Sequence, residues 1–437
     1  MQQSHGLLAH GFGENPGKAP HARSHRRATL QGRTKLGADV VQRMRGKVRP
    51  SRIPAKHDSP RRIQHQRPGA GAPRVDPEKP LVCHAKDLTR RRVTSEEQMR
   101  RYGGEPLQAG ERWAVVTNDA LGNFVIATPL LQMFRAQHPG VTLDYYGGKR
   151  IQELSAASPL VDSSTPLLGM EPRDFASALP EPYDGVINFE VSPWAKAVTA
   201  LLAGAEGRVV GPCLGEEGRD ELPFLDDEPG RLAQDKEWIH EDICQRYSIL
   251  QTPHISEIFA RMAYLGGPVP PYMLPSADPG SDVPDVLIAT TASLASKIWP
   301  LEKWQALASA LGAAGFRVGL LGAKPKVQGQ YWKGASDECT LATHPNVQDL
   351  RGTLTMPQVL GAIQAARAVI TLDNGIMHFA CATSTPVIGL FRFGIHRLWA
   401  PPVPNLRVIH AGAEGHVADI PVESVISEFR NFPGLSV

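Results

Sequence analysis

Residues 368–391 read AVITLDNGIMHFACATSTPVIGLF, and the chemistry open to them sits at Asp373, Asn374 and Gly375. A β-branched apolar run, a polar turn with glycine, about two helical turns of small and apolar residues and a second apolar run predict strand, turn, short helix, strand. Where a strand passes into a helix, free backbone N–H groups and the positive end of the helix dipole converge on a nearby anion. Gly375 lets the backbone come close, and His378 falls about one turn inside the helix. The same tripeptide also suits an ordinary turn in which Asp or Asn caps the helix. Spacing alone leaves both open.

Such a turn has to be carried by a sheet, and the chain supplies two series of alternating elements. The first begins with a buried strand at 113–117 (WAVVT), followed by the loop NDALGN, a helix over 124–138 and a strand at 142–146. Pro129 is expected near the first turns of that helix, where proline is tolerated. Apolar runs at 185–189 and 208–211 alternate with helical patterns at 149–156 and 193–203. Helical stretches at 238–250 and 256–265 close the half. Residues 266–284 hold six prolines and read as a linker. A second series then starts with a strand at 285–290, a helix at 301–314, a strand at 316–321, a helix at 356–366 and the 368–391 stretch, and a helix at 421–429 ends it. Two βαβ-rich halves predict an α/β protein with two Rossmann-like doubly wound domains facing a cleft. The expected boundaries are an N-terminal domain at 111–266, a linker at 267–284 and a C-terminal domain at 285–437.

The formal charge of +3 hides an asymmetry: residues 1–98 hold 21 Lys and Arg against 8 Asp and Glu, the remainder 26 against 36. The first 98 residues contain no Trp or Tyr and a single Phe, Phe12, but seven of the fifteen His. Such a segment buries too little apolar surface to offset its ordering entropy, so residues 1–110 are expected to be a disordered basic extension. Translation from Met99 is an alternative that would remove it. Basic patches without interleaved aromatics argue against a nucleic-acid tether. Five scattered cysteines with no CxxC argue against a disulfide framework and a structural zinc site. No apolar run reaches the roughly 18 residues of a membrane span, and no leader pattern opens the chain. A cytoplasmic protein is expected.

Three stretches, in order, resemble glycosyltransferase family 9, the ADP-heptose:lipopolysaccharide heptosyltransferase family. Residues 118–140 (NDALGNFVIATPLLQMFRAQHPG) are similar to its "lGD, apolar stretch, P-l-l" pattern, and residues 296–311 (SKIWPLEKWQALASAL) to its K-x-W-P-x-E-x-W element. The third stretch is D-x-G-x-x-H-x-A-x-A from Asp373, followed by Pro386. The resemblance implies a GT-B fold and inverting transfer of a heptose from a nucleotide-diphosphate sugar to a lipopolysaccharide-core or other glycan hydroxyl. No metal and no cofactor are implied. It nominates Lys297, Asp373, Asn374, Gly375, Ile376 and His378 as donor-binding residues, with Lys297 at the rim of the sheet neutralising a diphosphate leaving group. Trp299 and Trp304 are expected to pack. Partners would be a nucleotide-sugar donor and a glycan or glycolipid acceptor, with peripheral contact to the inner membrane.

This chain departs from the family at one position. An aspartate that resembles a general base follows the glycine of "lGD", but here Asn123 follows Gly122, and an amide cannot take a proton. Asp119, four residues earlier in the same loop, is the nearest carboxylate and the candidate substitute. A turn or cap role is the alternative for it. Gly122 is expected to let the loop backbone approach donor or acceptor. If nothing replaces the base, the chain is a nucleotide-sugar-binding protein without transferase activity. A related GT-B enzyme, such as a nucleotide-sugar epimerase, is the third possibility.

Overall fold

Every strand that the computed structural model describes runs parallel to its neighbours, in two six-stranded sheets. The description covers residues 98–435 except 169–178, 216–219, 326, 328, 330–331 and 414, so the expected disorder of residues 1–97 lies outside it. In the first half β1 (Arg100–Arg101), β2 (Arg112–Val116), α1 (Leu121–Gln137), β3 (Thr142–Gly148), α2 (Gln152–Ala156), β4 (Ser163–Leu168), β5 (Gly185–Asn188), α3 (Pro193–Ala203) and β6 (Arg208–Val210) build a sheet ordered β4-β3-β2-β5-β6-β1. Three helices follow, α4 (Glu228–Gln234), α5 (Ile243–Arg246) and α6 (Ile255–Met262). The second half runs β7 (Val286–Ala289), α7 (Leu301–Ala313), β8 (Val318–Leu320), α8 (Ala335–Leu341), β9 (Val347–Asp349), α9 (Met356–Ala365), β10 (Ala368–Leu372), α10 (Gly375–Cys381), β11 (Val387–Leu390), α11 (His396–Trp399), β12 (Leu406–Ile409) and α12 (Val422–Arg430). Its sheet is ordered β9-β8-β7-β10-β11-β12. The doubly wound order makes β2 in one sheet and β7 in the other the strand beside which the winding reverses. Ligands of such folds sit beside that strand, past the carboxyl ends.

The strands buried on both faces are those whose apolar runs are continuous, as parallel packing requires. One apolar cluster runs through both halves, joining Trp113, Phe124, Phe134 and Tyr145 to Ile258, Tyr272, Met377, Phe379 and Trp399. Residues 265–284 form no regular element and run first along α1, where Gln132 Nε2 donates to the Pro271 carbonyl at 2.8 Å, then along α9, where Ala277 N–H donates to the Pro357 carbonyl at 2.9 Å.

Three expectations change. The extension does not reach residue 110: β1 pairs with β6 in parallel, and Met99 and Tyr102 are buried. Arg101 anchors this edge, with its guanidinium donating to the carbonyls of Pro223, at 3.0 Å, Gly211 and Leu222. Burial pulls its pKa down to about 10. Next, α1 begins at Leu121, so Pro129 lies mid-helix. The Val125 carbonyl, left without an N–H from Pro129, accepts the Thr128 hydroxyl at 2.7 Å instead. Finally, only Ile243–Arg246 of the helix expected over 238–250 is helical. The Asp235 carboxylate accepts the Glu237 N–H at 2.7 Å and the Tyr247 hydroxyl at 2.9 Å, which holds the segment in turns.

Arg101→Ala strands three carbonyls and is expected to cost about 2–4 kcal/mol. Arg100→Ala, which loses a solvent-exposed pair with Glu105 and a long 3.4 Å contact to the Arg101 carbonyl, is expected to cost less than about 1 kcal/mol. Urea denaturation of the two variants measures the difference, and equal losses would place β1 outside the cooperative fold.

Candidate functional site

The two switch points meet across the molecule. α1 follows β2 and α10 follows β10, and their first turns touch: a Cβ on Gly375 would lie 3.2 Å from Leu121 Cβ, and one on Gly122 3.3 Å from the His378 ring. Glycine at both positions is what lets the two helix starts approach so closely. This brings Gly122 and Asn123 of the first half together with Gly375 and His378 of the second.

On the C-terminal side Asp373 stands just past β10 and is 5% exposed. Lys297, which ends a short 3₁₀ turn after β7, places Nζ 2.6 Å from Asp373 Oδ2. The contact is an ion pair without the directed geometry of a hydrogen bond. Lys297 is thus largely covered at the rim of the sheet. Asn374 caps α10, its Oδ1 accepting from the N–H groups of Ile376 at 2.9 Å and Met377 at 3.2 Å, while its Nδ2 donates to the Thr291 carbonyl at 2.9 Å. The capping role left open by the tripeptide is therefore realised, and it occupies two N–H groups that an anion would otherwise receive. Ile376 packs its side chain against the core.

His378 is 3% exposed, and its Nδ1 lies 3.2 Å from the Tyr272 hydroxyl, which lies 3.2 Å from Nε2 of buried His254. Burial pulls His378 down to about 4, with Asp373 opposing and Lys297 assisting, and pulls His254 down to about 3. His378 is therefore a neutral imidazole at pH 7, not the cation that an electrostatic role toward a diphosphate would require. One hydroxyl hydrogen serves two imidazoles, so Tyr272 donates to one ring and accepts from the other.

On the N-terminal side the expected substitute base is committed elsewhere. Asp119 Oδ1 accepts the Arg150 N–H at 2.7 Å and Oδ2 the Arg150 Nε at 2.8 Å, and the side chain lies against Gly148, where any Cβ would collide with it. Asp119 thus takes the turn role, bracing the end of β3. Asn123 instead donates from Nδ2 to Glu190 Oε1 at 3.0 Å. Glu190 lies two residues past β5, on the other side of the switch point, and is 5% exposed. The Tyr145 hydroxyl, 2.5 Å from Thr117 Oγ1, is pushed up chiefly by burial, with Glu190 and Asp119 adding to the shift. Among the described residues no group of three or more His, Cys, Asp or Glu side chains converges as a metal site.

Glu190, Tyr272 and His254 escaped the sequence reading. Glu190 ends the run GVINFE, an acid just past a buried strand, which is a usable signal. Tyr272 lies in a proline-rich segment that carries none.

A two-domain α/β fold with ligand positions facing across a cleft is that of GT-B glycosyltransferases. Residues 272–427 match the family model of glycosyltransferase family 9 (heptosyltransferase), a match confined to the C-terminal part of the chain. Lipopolysaccharide heptosyltransferase 3 of Escherichia coli is 32% identical over 127 residues, a stretch covering 29% of this chain and 36% of that protein's length. The glycosyltransferase family 9 structure from Veillonella parvula aligns with a TM-score of 0.55 at 14% identity, covering 74% of this chain and 97% of that one. The E. coli ADP-heptose lipopolysaccharide heptosyltransferase II gives 0.54 at 21% identity, covering 74% and 98%. At such identities the two structures speak for the fold. Among the described residues no helix is long and apolar enough to cross a membrane.

Lys297→Ala leaves a buried carboxylate without its cation and is expected to cost about 1–3 kcal/mol, with Asp373→Asn in the same chain restoring part of it. Chemical denaturation tests this, and unchanged stability would refute a structural role for the pair.

Acid is expected to destabilise the fold through His378. An unfolded histidine gains its proton near pH 6.5 and the folded one near 4, so stability is complete above 6.5 and falls as pH drops toward 4, by roughly 3 kcal/mol at most. Denaturation at pH 7 and pH 4.5 measures it. An equal loss in His378→Gln would assign the acid sensitivity to other groups.

Proposed function

We propose that the chain is an inverting, metal-independent glycosyltransferase that moves a heptose from a nucleotide-diphosphate sugar, ADP-heptose, to a lipopolysaccharide-core or other glycan hydroxyl. The observation that carries the proposal is the apposition of the two switch points, with the Lys297–Asp373 pair on one wall and Asn123–Glu190 on the other. A donor held on the C-terminal wall would present its diphosphate to Lys297. When the diphosphate leaves, its added charge would be met by an ammonium already in place, the kind of preorganised electrostatics that lowers a transfer barrier. Neutral His378 would contribute a hydrogen bond and shape. The relatives support this donor class, since the names of the E. coli proteins specify heptosyl transfer and, for one, ADP-heptose. We place the protein in the cytoplasm, with peripheral contact to the inner membrane where a glycolipid acceptor would be met.

One observation favours a second reading. Asn123 replaces the family's aspartate and Asp119 is tied to Arg150, so the chain could bind the donor without transferring it.

Calorimetric titration with ADP-heptose, ADP, UDP-sugars and GDP-sugars is expected to show binding of the adenine nucleotides. Failure of every nucleotide to bind would overturn the proposed function. Donor binding without transfer to any acceptor would favour the second reading.

A further inference from the structure

We infer that Glu190 is the catalytic base of this chain and Asn123 the residue that positions it. The inference rests on the transferase function proposed above. Position 123 carries an amide, and the hydrogen bond that this amide makes leads directly to a carboxylate: Asn123 Nδ2 donates to Glu190 Oε1 at 3.0 Å. The other carboxylate of the loop, Asp119, has both oxygens engaged by Arg150.

Glu190 is also held as a reacting group must be. The buried Asn188 at the end of β5 grips its backbone from both sides, Oδ1 accepting the Glu190 N–H at 2.8 Å and Nδ2 donating to the Glu190 carbonyl at 3.0 Å. The same Nδ2 donates to the Pro212 carbonyl at 2.7 Å, which ties the turn to the loop after β6. Glu190 therefore stands on a rigid strand end at the switch point, oriented by an amide that can donate to it but cannot compete for a proton. The pair exchanges the two functional groups between neighbouring elements. The loop after β2 now carries the amide and the turn after β5 the carboxylate.

In the step this implies, the Glu190 carboxylate takes the hydroxyl proton of the acceptor. The freed oxygen pair forms the new bond to the anomeric carbon from the face opposite the diphosphate. The bond from that carbon to the diphosphate oxygen breaks, and its electrons leave on the nucleoside diphosphate beside Lys297. One proton ends on Glu190 and one negative charge on the leaving group, so charge and atoms balance.

The test measures ADP release from ADP-heptose in the presence of a lipopolysaccharide core preparation, alongside calorimetric ADP binding, for wild type, Glu190→Gln, Glu190→Asp and the double variant Asn123→Asp with Glu190→Gln. Glu190→Gln is expected to bind ADP within about threefold of wild type, to lose about 10²- to 10⁴-fold in kcat and to lose the acid limb of the pH–rate profile. The double variant, which returns a carboxylate to position 123, is expected to recover at least about tenfold over Glu190→Gln. If Glu190→Gln fails to fold, Glu190→Asp decides: it keeps the charge and withdraws the oxygens, and a large drop in kcat with intact ADP binding supports the assignment. Wild-type kcat in either single variant overturns it. So does loss of ADP binding in a folded Glu190→Gln, which would make the residue part of the donor site, and so does a wild type that binds ADP-heptose yet releases no ADP. Absence of nucleotide binding by the wild type would instead remove the proposed function itself.

Discussion

The close approach of α1 and α10 is the constraint from which the rest of this structure follows. α1 starts directly after β2 and α10 directly after β10, the neighbour of β7, so both starts lie where a sheet reverses its winding, and glycine at positions 122 and 375 lets them come into contact. The apolar cluster beneath them belongs to both halves, so this contact is the polar rim of a shared core and not a loose encounter between separate domains. Side chains that belong to distant parts of the chain thereby face one another.

That arrangement buries groups that sequence alone would leave in water. Lys297 and Asp373 become a covered ion pair, and His378 becomes a neutral ring held through Tyr272 to His254. Burying charge is costly unless it is paired, and each charged group at the rim has a partner: Lys297 has Asp373, Asp119 has Arg150. Glu190 has its bond from Asn123. The polar network therefore sets which groups can still do chemistry. Asp119, spent on the Arg150 guanidinium, braces a loop.

Much of the scaffold was legible. Continuous apolar runs such as 113–117, 285–290 and 368–372 announced buried parallel strands, because strands covered on both faces have no polar side to display. The edge strands β1, β4, β9 and β12 did not stand out, since their pairing is decided by the neighbour and not by their own two to six residues. The turns of 235–250 depend on what the Asp235 carboxylate meets.

The sequence by itself determined the resemblance to glycosyltransferase family 9, the doubly wound class and the residues that mark the two switch points, because strand-end motifs are local and their spacing survives in one dimension. Only the tertiary structure decided what those residues do to one another. Asn123 meets Glu190 67 positions away, Tyr272 meets His378 106 positions away and Asp119 meets Arg150 31 positions away. Hydrogen bonds and burial are properties of where side chains end up after the two halves close. The protonation of His378, the engagement of Asp119 and the nomination of Glu190 all depend on that closure.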